Sequence, residues 1–596
     1  MHTITCLPDE LIVVILEDSN MTIGDIMKFT STCKRFHRIL LNDKFWEKKF
    51  YQRYSCAKKK CNTKGRKSQK ESSYLKQLIK CFECVIDLQS FVSLMSNNNS
   101  LWSNTKEKKL ECLLRSIAEN SNLYCLVVYE LNKIISAQLP SQFDSKLSDR
   151  YNLHLIYHCL KQYRFIYQQN QFMKLPLKKQ LLEKQLIIVI KYFQPYVSYS
   201  GIKKWLDDIT EEILLRLREK YPRHSIFSLP HKQISFWKNS NIDANFWSKT
   251  EAVQIMRILE NFMFSEYGVF KLHMIFEILE LEDKYTAYLL DHILLYLLTN
   301  MYQSVARRLG ISCAITFIDE GFGIAWKPKS NREGPNATVL VDYFHMDGDS
   351  DLLCPSRISR GESFADSLQT LNELWVTKLI SNFYEMINTC EVEGHCNILF
   401  KWKKNFLFDF LTHYIGQENI NIKKTYKSII NSIKITSNIE IRKNPKKRNE
   451  KIKFAIGMII THSSQPYLLT EKNNNHYGVI IGWHFQCKLS SVQRSLSSII
   501  PHLNNCEHQH TCLCECRSFC KTRIIYQPHY IILTENNKLC YAPQDTVSMC
   551  PPKRINNVEI GRYFSKFEGT HYIPNESLAK NYPNDTDAIL EILSNQ

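Results

Sequence analysis

Apolar residues recur every three or four positions through the first half of the chain and alternate with polar residues in its last quarter. Between residues 7 and 50 they form four short runs, and between 73 and 300 they continue with few glycines or prolines. From Phe454 onward the alternation is typical of strands that bury one face, with Phe454, Ile456, Met458 and Ile460 on one side. The pattern predicts a multidomain protein. We expect an α-helical N-terminus, an α+β but mostly helical middle domain, and a small all-β, barrel-like C-terminal domain.

Two stretches rich in Lys and Arg and poor in apolar residues interrupt this pattern. Runs of like charge are usually solvated, so both are interpreted as linkers. The alternative interpretation of the second stretch is a nuclear-import signal at Arg442–Arg448. The predicted domains are 1–54, 73–435 and 451–590, and the linkers are 55–72 and 436–450.

Helix-capping residues punctuate the first fifty positions. Pro8 suits the first turn of a helix, and Thr22 is a candidate N-cap with Asp25 three residues later. Ser31 and Asp43 are candidate N-caps of the next two helices. A segment this short cannot close a stable core alone, so it should be completed by a partner.

This N-terminal segment resembles an F-box in its Leu–Pro–Asp–Glu opening, its Cys–Lys–Arg–Phe middle and its closing Phe–Trp. The resemblance implies docking on a Skp-type adaptor, which a cullin scaffold holds. The alternative is an ordinary N-terminal helical hairpin. The predicted adaptor-binding residues are Leu7, Pro8, Leu11, Ile15, Phe29, Cys33, Phe36 and Trp46.

The middle domain resembles, most clearly over residues 256–350, the transglutaminase-like domain of the F-box only protein 21 group. Its strongest match is Ser304–Gly310, and strands are expected near 313–318, 322–326 and 339–344. Covalent chemistry there needs a nucleophile, a His and an acid. By the resemblance these positions hold Leu297, Gly321 and Asp342. We therefore expect no catalytic residues. The alternative is an enzyme with a relocated triad, drawn from Cys313, Cys354, His345 and Asp342.

The C-terminal domain resembles the YccV (HspQ) family, also called the hemimethylated-DNA-binding domain, from Phe454 to Asp585. Tyr477–Trp483 carries much of the match, whereas His484 and Gln544 depart from the family, so an inherited ligand is doubtful. Aromatic residues that stack on bases must be exposed beside a basic groove. Residues 454–585 are not markedly basic, so nucleic acid is disfavoured as a partner of this domain. The candidate ligand or partner surface is Tyr477, Trp483, Tyr530 and Tyr541.

A Cys- and His-rich insertion at residues 500–522 interrupts this domain. Structural zinc prefers ligands two to four residues apart, whereas many of these residues alternate at every second position. The main expectation is a Cys-rich loop without metal, and no cofactor is predicted. The alternative is zinc bound by residues chosen from Cys506, His508, Cys512, Cys516 and Cys520.

Composition narrows the cellular setting. The 21 cysteines do not follow the spacing of a secreted disulfide framework, and the N-terminus lacks a signal-peptide pattern, so we expect a cytoplasmic or nuclear protein. The longest apolar run, Tyr285–Tyr302, contains Asp291 and His292, which argues against a membrane partner. A net charge of +18 resides largely in the two basic stretches.

The resemblances together imply a substrate-receptor subunit of an SCF-type ubiquitin ligase. Such a subunit recruits target proteins for ubiquitination and degradation and catalyses nothing itself. The alternatives are a transglutaminase-like or cysteine-hydrolase enzyme, and a nucleic-acid-binding protein that uses the C-terminal domain.

Overall fold

The computed structural model forms two compact units. The first comprises Met1–Ser141, Asn152–Gln168 and Val189–Tyr199, and the second comprises Gln142–Tyr151, Gln169–Ile188 and Ser200–Gln596. In the described part, no helix is long and apolar enough to span a membrane. The structure describes residues 7–18, 21, 23–40, 43–54, 74–97, 104–137, 147–193, 199–242, 244–266, 300–318, 321–326, 339–342, 356–358, 445–463, 475–486, 527–535, 539–557 and 559–594.

Helices dominate the described residues up to position 266. Their amphipathic faces build the cores, as the spacing of apolar residues predicts. A π-helical turn, Asn261–Glu266, ends this part. The helices are α1 (Asp9–Leu16), α2 (Ile23–Thr30), α3 (Lys34–Ile39), α4 (Asp43–Arg53), α5 (Tyr74–Asn97), α6 (Asn104–Glu119), α7 (Ser121–Ala137), α8 (Leu147–Met173), α9 (Leu182–Phe193), α10 (Tyr199–Lys220), α11 (His231–Asn239) and α12 (Lys249–Glu260).

The capping residues of the first four helices differ partly from the prediction. Pro8 precedes α1 as its N-cap residue, and α4 begins at Asp43. The N-cap of α3 is Cys33 rather than Ser31, since the Cys33 Sγ accepts a hydrogen bond from the Phe36 amide at 3.5 Å. Thr22 lies outside the described residues. A thiol can therefore satisfy one of the amides that a helix start leaves unpaired.

A four-stranded antiparallel sheet follows in the second unit. Helical residues 300–308 pack beside it, with Val305 and Leu309 in a core shared with Trp237 and Trp247. The sequence prediction located the first three strands within a few residues. The sheet order is β1 (Cys313–Ile318), β2 (Gly321–Trp326), β3 (Val339–Asp342) and β4 (Ser356–Ile358).

The C-terminal part contains a five-stranded antiparallel sheet in the order β8–β7–β6–β5–β9 and a two-stranded sheet. Three helices accompany them, which the all-β prediction did not include. The elements are β5 (Ile459–Ser463), β6 (Asn475–His484), β7 (His529–Thr534), β8 (Leu539–Pro543), β9 (Val547–Met549), α13 (Ile560–Tyr563), β10 (Phe564–Phe567), β11 (Tyr572–Pro574), α14 (Glu576–Asn581) and α15 (Asp585–Ser594).

The connection between the two edge strands shows that the five-stranded sheet is curved. Strands β8 and β9 are joined only by the 3-10 turn Gln544–Thr546. In a flat sheet, four strand spacings of about 4.8 Å would separate them by roughly 19 Å. A 3-10 turn of this length advances roughly 8 Å, and even an extended chain would reach only about 14 Å. The sheet must therefore curl so that its two edges approach each other.

The alternation that begins at Phe454 does not form a strand at once. Residues 454–458 turn, and β5 begins only at Ile459. The turn contains Gly457, whose φ of +92° favours glycine. Ile456 and Met458 still reach the core, so the pattern predicted burial correctly and backbone conformation wrongly.

Part of the second basic stretch belongs to the C-terminal fold rather than to a solvated linker. The Lys446 ammonium donates to the backbone oxygen of Trp483 at 3.0 Å and to the Tyr582 hydroxyl at 3.1 Å. Arg448 donates to the backbone oxygens of Ile452 and Phe454, at 2.6 and 3.1 Å. The linker prediction therefore fails for these two residues, because their charges bind backbone carbonyls.

Candidate interaction surfaces

Helix α1 is fixed at its N-terminal end by a residue of α3. The Arg35 guanidinium donates to the Asp9 carboxylate at 2.8 and 2.5 Å and to the backbone oxygen of Leu7 at 2.6 Å. Asp9 lies in the first turn of α1, where the helix dipole favours a negative charge. Arg35 thus connects α3 to the start of α1.

The C-terminal end of α1 is fixed by α4. The buried Lys49 donates to the backbone oxygen of Asp18 at 2.5 Å, and Gln52 donates to that of Glu17 at 3.0 Å. Burial lowers the pKa of Lys49, although Asp18 and Glu17 act in the opposite direction. The carbonyls that follow α1, at its C-cap residue Glu17 and at Asp18, therefore accept hydrogen bonds from side chains of α4.

Fixed at both ends, α1 divides its apolar residues between two sides. Ile12 and Leu16 are buried, at 1% and 2% exposure. Leu11, Val14 and Ile15 are exposed at 49%, 63% and 44%. Their spacing of three and four residues places them on one side of the helix. We call Leu11, Val14 and Ile15 the α1 face. Adjacent exposed apolar residues of this kind mark interaction sites on proteins.

The predicted adaptor-binding residues fall into two groups. Leu11 and Ile15 lie on the α1 face, Pro8 is exposed, and Leu7, Phe29 and Cys33 are half-buried. Phe36 and Trp46 are corrections to the prediction. Phe36 is 3% exposed and stacks on Phe29 with ring centroids 4.1 Å apart. Trp46 is 1% exposed and donates to the backbone oxygen of Leu40 at 2.5 Å, so both pack the core instead of presenting a contact.

Two exposed apolar residues of this region were missed by the sequence prediction. Val14 follows Leu11 by three residues, and this spacing was the available signal. Met27 on α2 is 37% exposed. Methionine is common at surfaces that adapt to a partner.

The strongest sequence match of the middle domain, Ser304–Gly310, supplies a buried ion cluster. Arg307 donates one hydrogen bond to the Glu183 carboxylate, at 2.6 Å. Arg308 donates two hydrogen bonds to the same carboxylate, at 2.5 and 3.0 Å. Arg308 also donates to Asp207 at 3.0 Å. Arg307, Arg308 and Glu183 are at most 1% exposed. Such a cluster holds helices together, and its charges are too well paired and too inaccessible to serve as a catalytic site.

The same region contains two of the positions that the resemblance predicts for a transglutaminase-like site, and one of the alternative nucleophiles. Gly321 begins β2 and pairs with Ile318, and Asp342 ends β3 opposite Ile324. Cys313 is fully buried, and burial raises the pKa of its thiol to about 12. At neutral pH it is a thiol rather than a nucleophilic thiolate. Leu297, His345 and Cys354 lie outside the described residues.

The predicted aromatic surface of the C-terminal domain is partly interior. Trp483 and Tyr530 are both 0% exposed. The Tyr530 hydroxyl donates to the Gln544 side chain at 2.6 Å and accepts from the amides of Lys453 and Phe454, each at 3.1 Å. These two rings are therefore corrected from surface to core.

Trp483 and the turn at Gly457 meet at one buried carboxylate. The Asp585 Oδ2 accepts from the Trp483 indole and from the Ile456 amide, both at 2.9 Å. Arg448 lies 3.7 Å from the same oxygen. Burial raises the pKa of Asp585, against the effect of these hydrogen bonds. One side chain thus connects the start of α15, strand β6 and the N-terminal turn of the domain.

Comparison with known families finds a match within the C-terminal part of the chain. Residues 452–571 match the family described as "Hemimethylated DNA-binding protein YccV like". The C-terminal domain is YccV-like. No solved structure matches the chain significantly.

The chain is also similar to F-box only protein 21 of Mus musculus, Pongo abelii and Homo sapiens. Each is 26% identical to it over 160 residues, which are 26% of this chain. The match spans 21% of the length of these relatives, about a fifth.

On the YccV-like domain, the predicted surface that is exposed centres on Tyr477. This side chain is 38% exposed, and the Lys553 ammonium lies 3.4 Å from its ring centroid. Lys553 also forms an ion pair with Glu535 at 2.9 Å. The side chain of Tyr541 is outside the described part, although its backbone pairs with Ile531. Tyr477 and Lys553 make the region a mixed aromatic and charged surface.

The zinc alternative falls outside the described residues. Cys506, His508, Cys512, Cys516 and Cys520 all belong to the segment 487–526. Within the residues that the structure describes, no group of three His, Cys, Asp or Glu side chains could hold a metal ion. A loop without metal stays the prediction for this insertion and zinc stays its alternative, because both concern residues outside the described part.

Proposed function

We propose that the chain is a substrate-receptor subunit of an SCF-type ubiquitin ligase. In this proposal the α1 face docks on a Skp-type adaptor, which connects the chain to a cullin scaffold. The other domains bind target proteins and hold them near the ubiquitin-conjugating enzyme. The effect is a raised local concentration of target lysines, and no bond is made or broken by the chain itself.

The observation that carries the proposal is the α1 face. Three apolar side chains exposed together on one side of a helix favour a partner, since burying their combined surface removes it from water. Arg35, Lys49 and Gln52 hold α1 so that this face is presented before a partner arrives. The similarity to F-box only protein 21 supports the same function.

The proposal of a non-catalytic subunit is supported in the middle domain. Gly321 has no side chain to accept a proton, and the buried Cys313 thiol is a poor nucleophile. The buried Trp483 and Tyr530 of the YccV-like domain likewise cannot stack on bases, which argues against nucleic acid as the partner. The cytosol and the nucleus are the proposed locations, because an SCF ligase works there.

The test is the affinity of the full chain for a purified Skp-type adaptor. We expect the double variant Leu11→Ala, Ile15→Ala to bind at least about tenfold more weakly, or about 1.4 kcal/mol. Because both side chains are exposed and alanine favours helices, the variant should fold normally.

The matched control is the double variant Leu215→Ala, Leu590→Ala. These leucines are also exposed, each at 58%, and they lie in the second unit. Their removal should leave adaptor binding unchanged. Equal affinities of wild type and the α1 variant, or no adaptor binding by the wild-type chain, would overturn the proposal.

A further inference from the structure

A buried carboxylate, Glu130 of α7, receives three hydrogen bonds from the end of α4. Arg53 donates to both of its oxygens, at 2.5 and 2.6 Å, and the Tyr54 hydroxyl donates to one of them at 2.6 Å. Glu130 is 4% exposed. A paired guanidinium and carboxylate fix both distance and orientation, because two parallel hydrogen bonds allow only one geometry.

The surroundings of this cluster are tightly packed. Tyr54 is 1% exposed, its ring lies 5.2 Å from those of Phe50 and Tyr129, and its hydroxyl is 3.8 Å from the sulfur of Cys81 on α5. Arg53 also covers the ring of Phe82 at 5.2 Å. The hydrogen bond with Glu130 raises the pKa of Arg53, so its charge persists despite partial burial.

A second set of contacts joins the start of α4 to the start of α5. The Tyr74 amide donates to the Asp43 carboxylate at 3.1 Å, and its hydroxyl donates to Glu47 at 3.3 Å. Its ring lies 5.4 Å from that of Phe50. Helix α4 is therefore attached at both ends to the helices that follow it in sequence.

We propose that Arg53, Tyr54 and Glu130 form a rigid joint, the Glu130 joint, which fixes the α1 face relative to helices α5–α7. The sequence predicts instead that residues 55–72 tether an independent segment. The difference matters for a ligase. A tether would let targets sample many distances from the conjugating enzyme, whereas a joint sets one. The positioning effect rests on the proposed function, but the joint itself does not.

The first test asks whether helices α1–α4 stay bound to helices α5–α7 when the chain between them is cut. A specific protease site is inserted after Gly65 of the full chain, and the folded protein is cleaved there. We expect the two fragments to remain associated during size exclusion at micromolar concentration. Glu130→Ala should weaken their association by about 100-fold, because it leaves Arg53 charged and unpaired beside apolar rings.

Two further variants make the result specific. Arg53→Lys keeps the charge but loses the paired geometry, so its fragments should associate with intermediate affinity. Glu111→Ala removes an exposed pair with Arg115 on α6 and should leave the association unchanged. Circular dichroism of uncleaved Glu130→Ala checks that the variant is folded. Separation of the wild-type fragments, or association unaffected by Glu130→Ala, would overturn the joint.

The second test measures which lysines of the chain receive ubiquitin in a reconstituted ligase. Exposed lysines of α6 and α7, Lys108, Lys109 and Lys133, serve as acceptors of ubiquitin. With the joint intact we expect transfer to a restricted subset of them, and Glu130→Ala should spread transfer over all three. Adaptor affinity should stay within about twofold, since Glu130 is not part of the α1 face. The same lysine pattern in both proteins would contradict positioning. Absence of adaptor binding would sink the proposed function and leave the fragment result standing.

Discussion

Single residues of this protein show that apolar character in the sequence does not by itself separate an exposed residue from a buried one. Leu11 and Ile15 were predicted as adaptor contacts and are exposed, whereas Phe36 and Trp46 were predicted with them and are buried. Sequence gives the apolar character of all four but not the side of the helix that faces the core. That choice depends on the packing of α1 to α4 against one another, which involves residues far apart in sequence.

His529 of the YccV-like domain gives a residue-level prediction for pH. It is 0% exposed, its Nδ1 lies 3.0 Å from the backbone oxygen of Gln527, and burial lowers its pKa from 6.5. The folded domain therefore holds fewer protons than the unfolded one just below pH 6.5. We expect stability to fall as the pH drops below 6.5, by up to about 1.4 kcal/mol per pH unit, until the folded pKa is passed.

The measurement is amide hydrogen exchange of strands β6 and β7 in the full chain, under urea denaturation between pH 8 and pH 5. His529→Gln removes the titrating ring, so its stability should depend less on pH than that of wild type. Parallel curves for the two proteins would show that His529 does not cause the dependence.

At the scale of elements, the alternation of apolar residues predicted a β-rich C-terminal domain but misassigned residues 454–458. There the chain makes a turn that still buries Ile456 and Met458. Gly457 is its central residue. Its amide donates to the backbone oxygen of Ile480 in β6 at 2.9 Å. Its backbone oxygen accepts a hydrogen bond from the Tyr572 amide of β11, also at 2.9 Å. Alternation reports which residues are buried, and a turn between two sheets can bury alternate residues as a strand does.

Gly457→Ala should destabilise the YccV-like domain severely, by about 3 kcal/mol or more. An added Cβ would lie 2.1 Å from the Tyr572 backbone oxygen, and the φ of +92° is unfavourable for alanine. Gly569→Ala is the matched control, since its φ is +87° but no atom lies within 4 Å. It should cost only about 1 kcal/mol. Thermal unfolding compares the two, and equal losses would show that the clash at Gly457 is relieved.

Across the whole molecule, the core of the YccV-like domain includes a residue from far upstream. Leu147 at the start of α8 is 6% exposed and belongs to the same apolar core as Ile456, Trp483 and Tyr563. Its backbone oxygen would lie 1.9 Å from a Cβ added to Gly561, so the chains approach closely. The predicted boundary at residue 451 could not reveal this, because nothing in the spacing of residues 147–151 indicates a distant partner.

Leu147→Ala should therefore destabilise the YccV-like domain by about 2–5 kcal/mol, although it lies outside residues 451–590. Amide hydrogen exchange of strands β6 and β7 in the full chain measures the effect. Met173→Ala is the control, because Met173 ends the same helix and is 44% exposed. Unchanged protection of β6 and β7 in the Leu147 variant would contradict a shared core.

The position of Leu147 also has a consequence for synthesis on the ribosome. Its core partners begin with Ile452, about 300 residues later in the chain. At a translation rate of about 5–20 residues per second, Leu147 emerges roughly 15–60 s before the first of them. During that interval its apolar side chain has no native core to enter and stays exposed on the nascent chain.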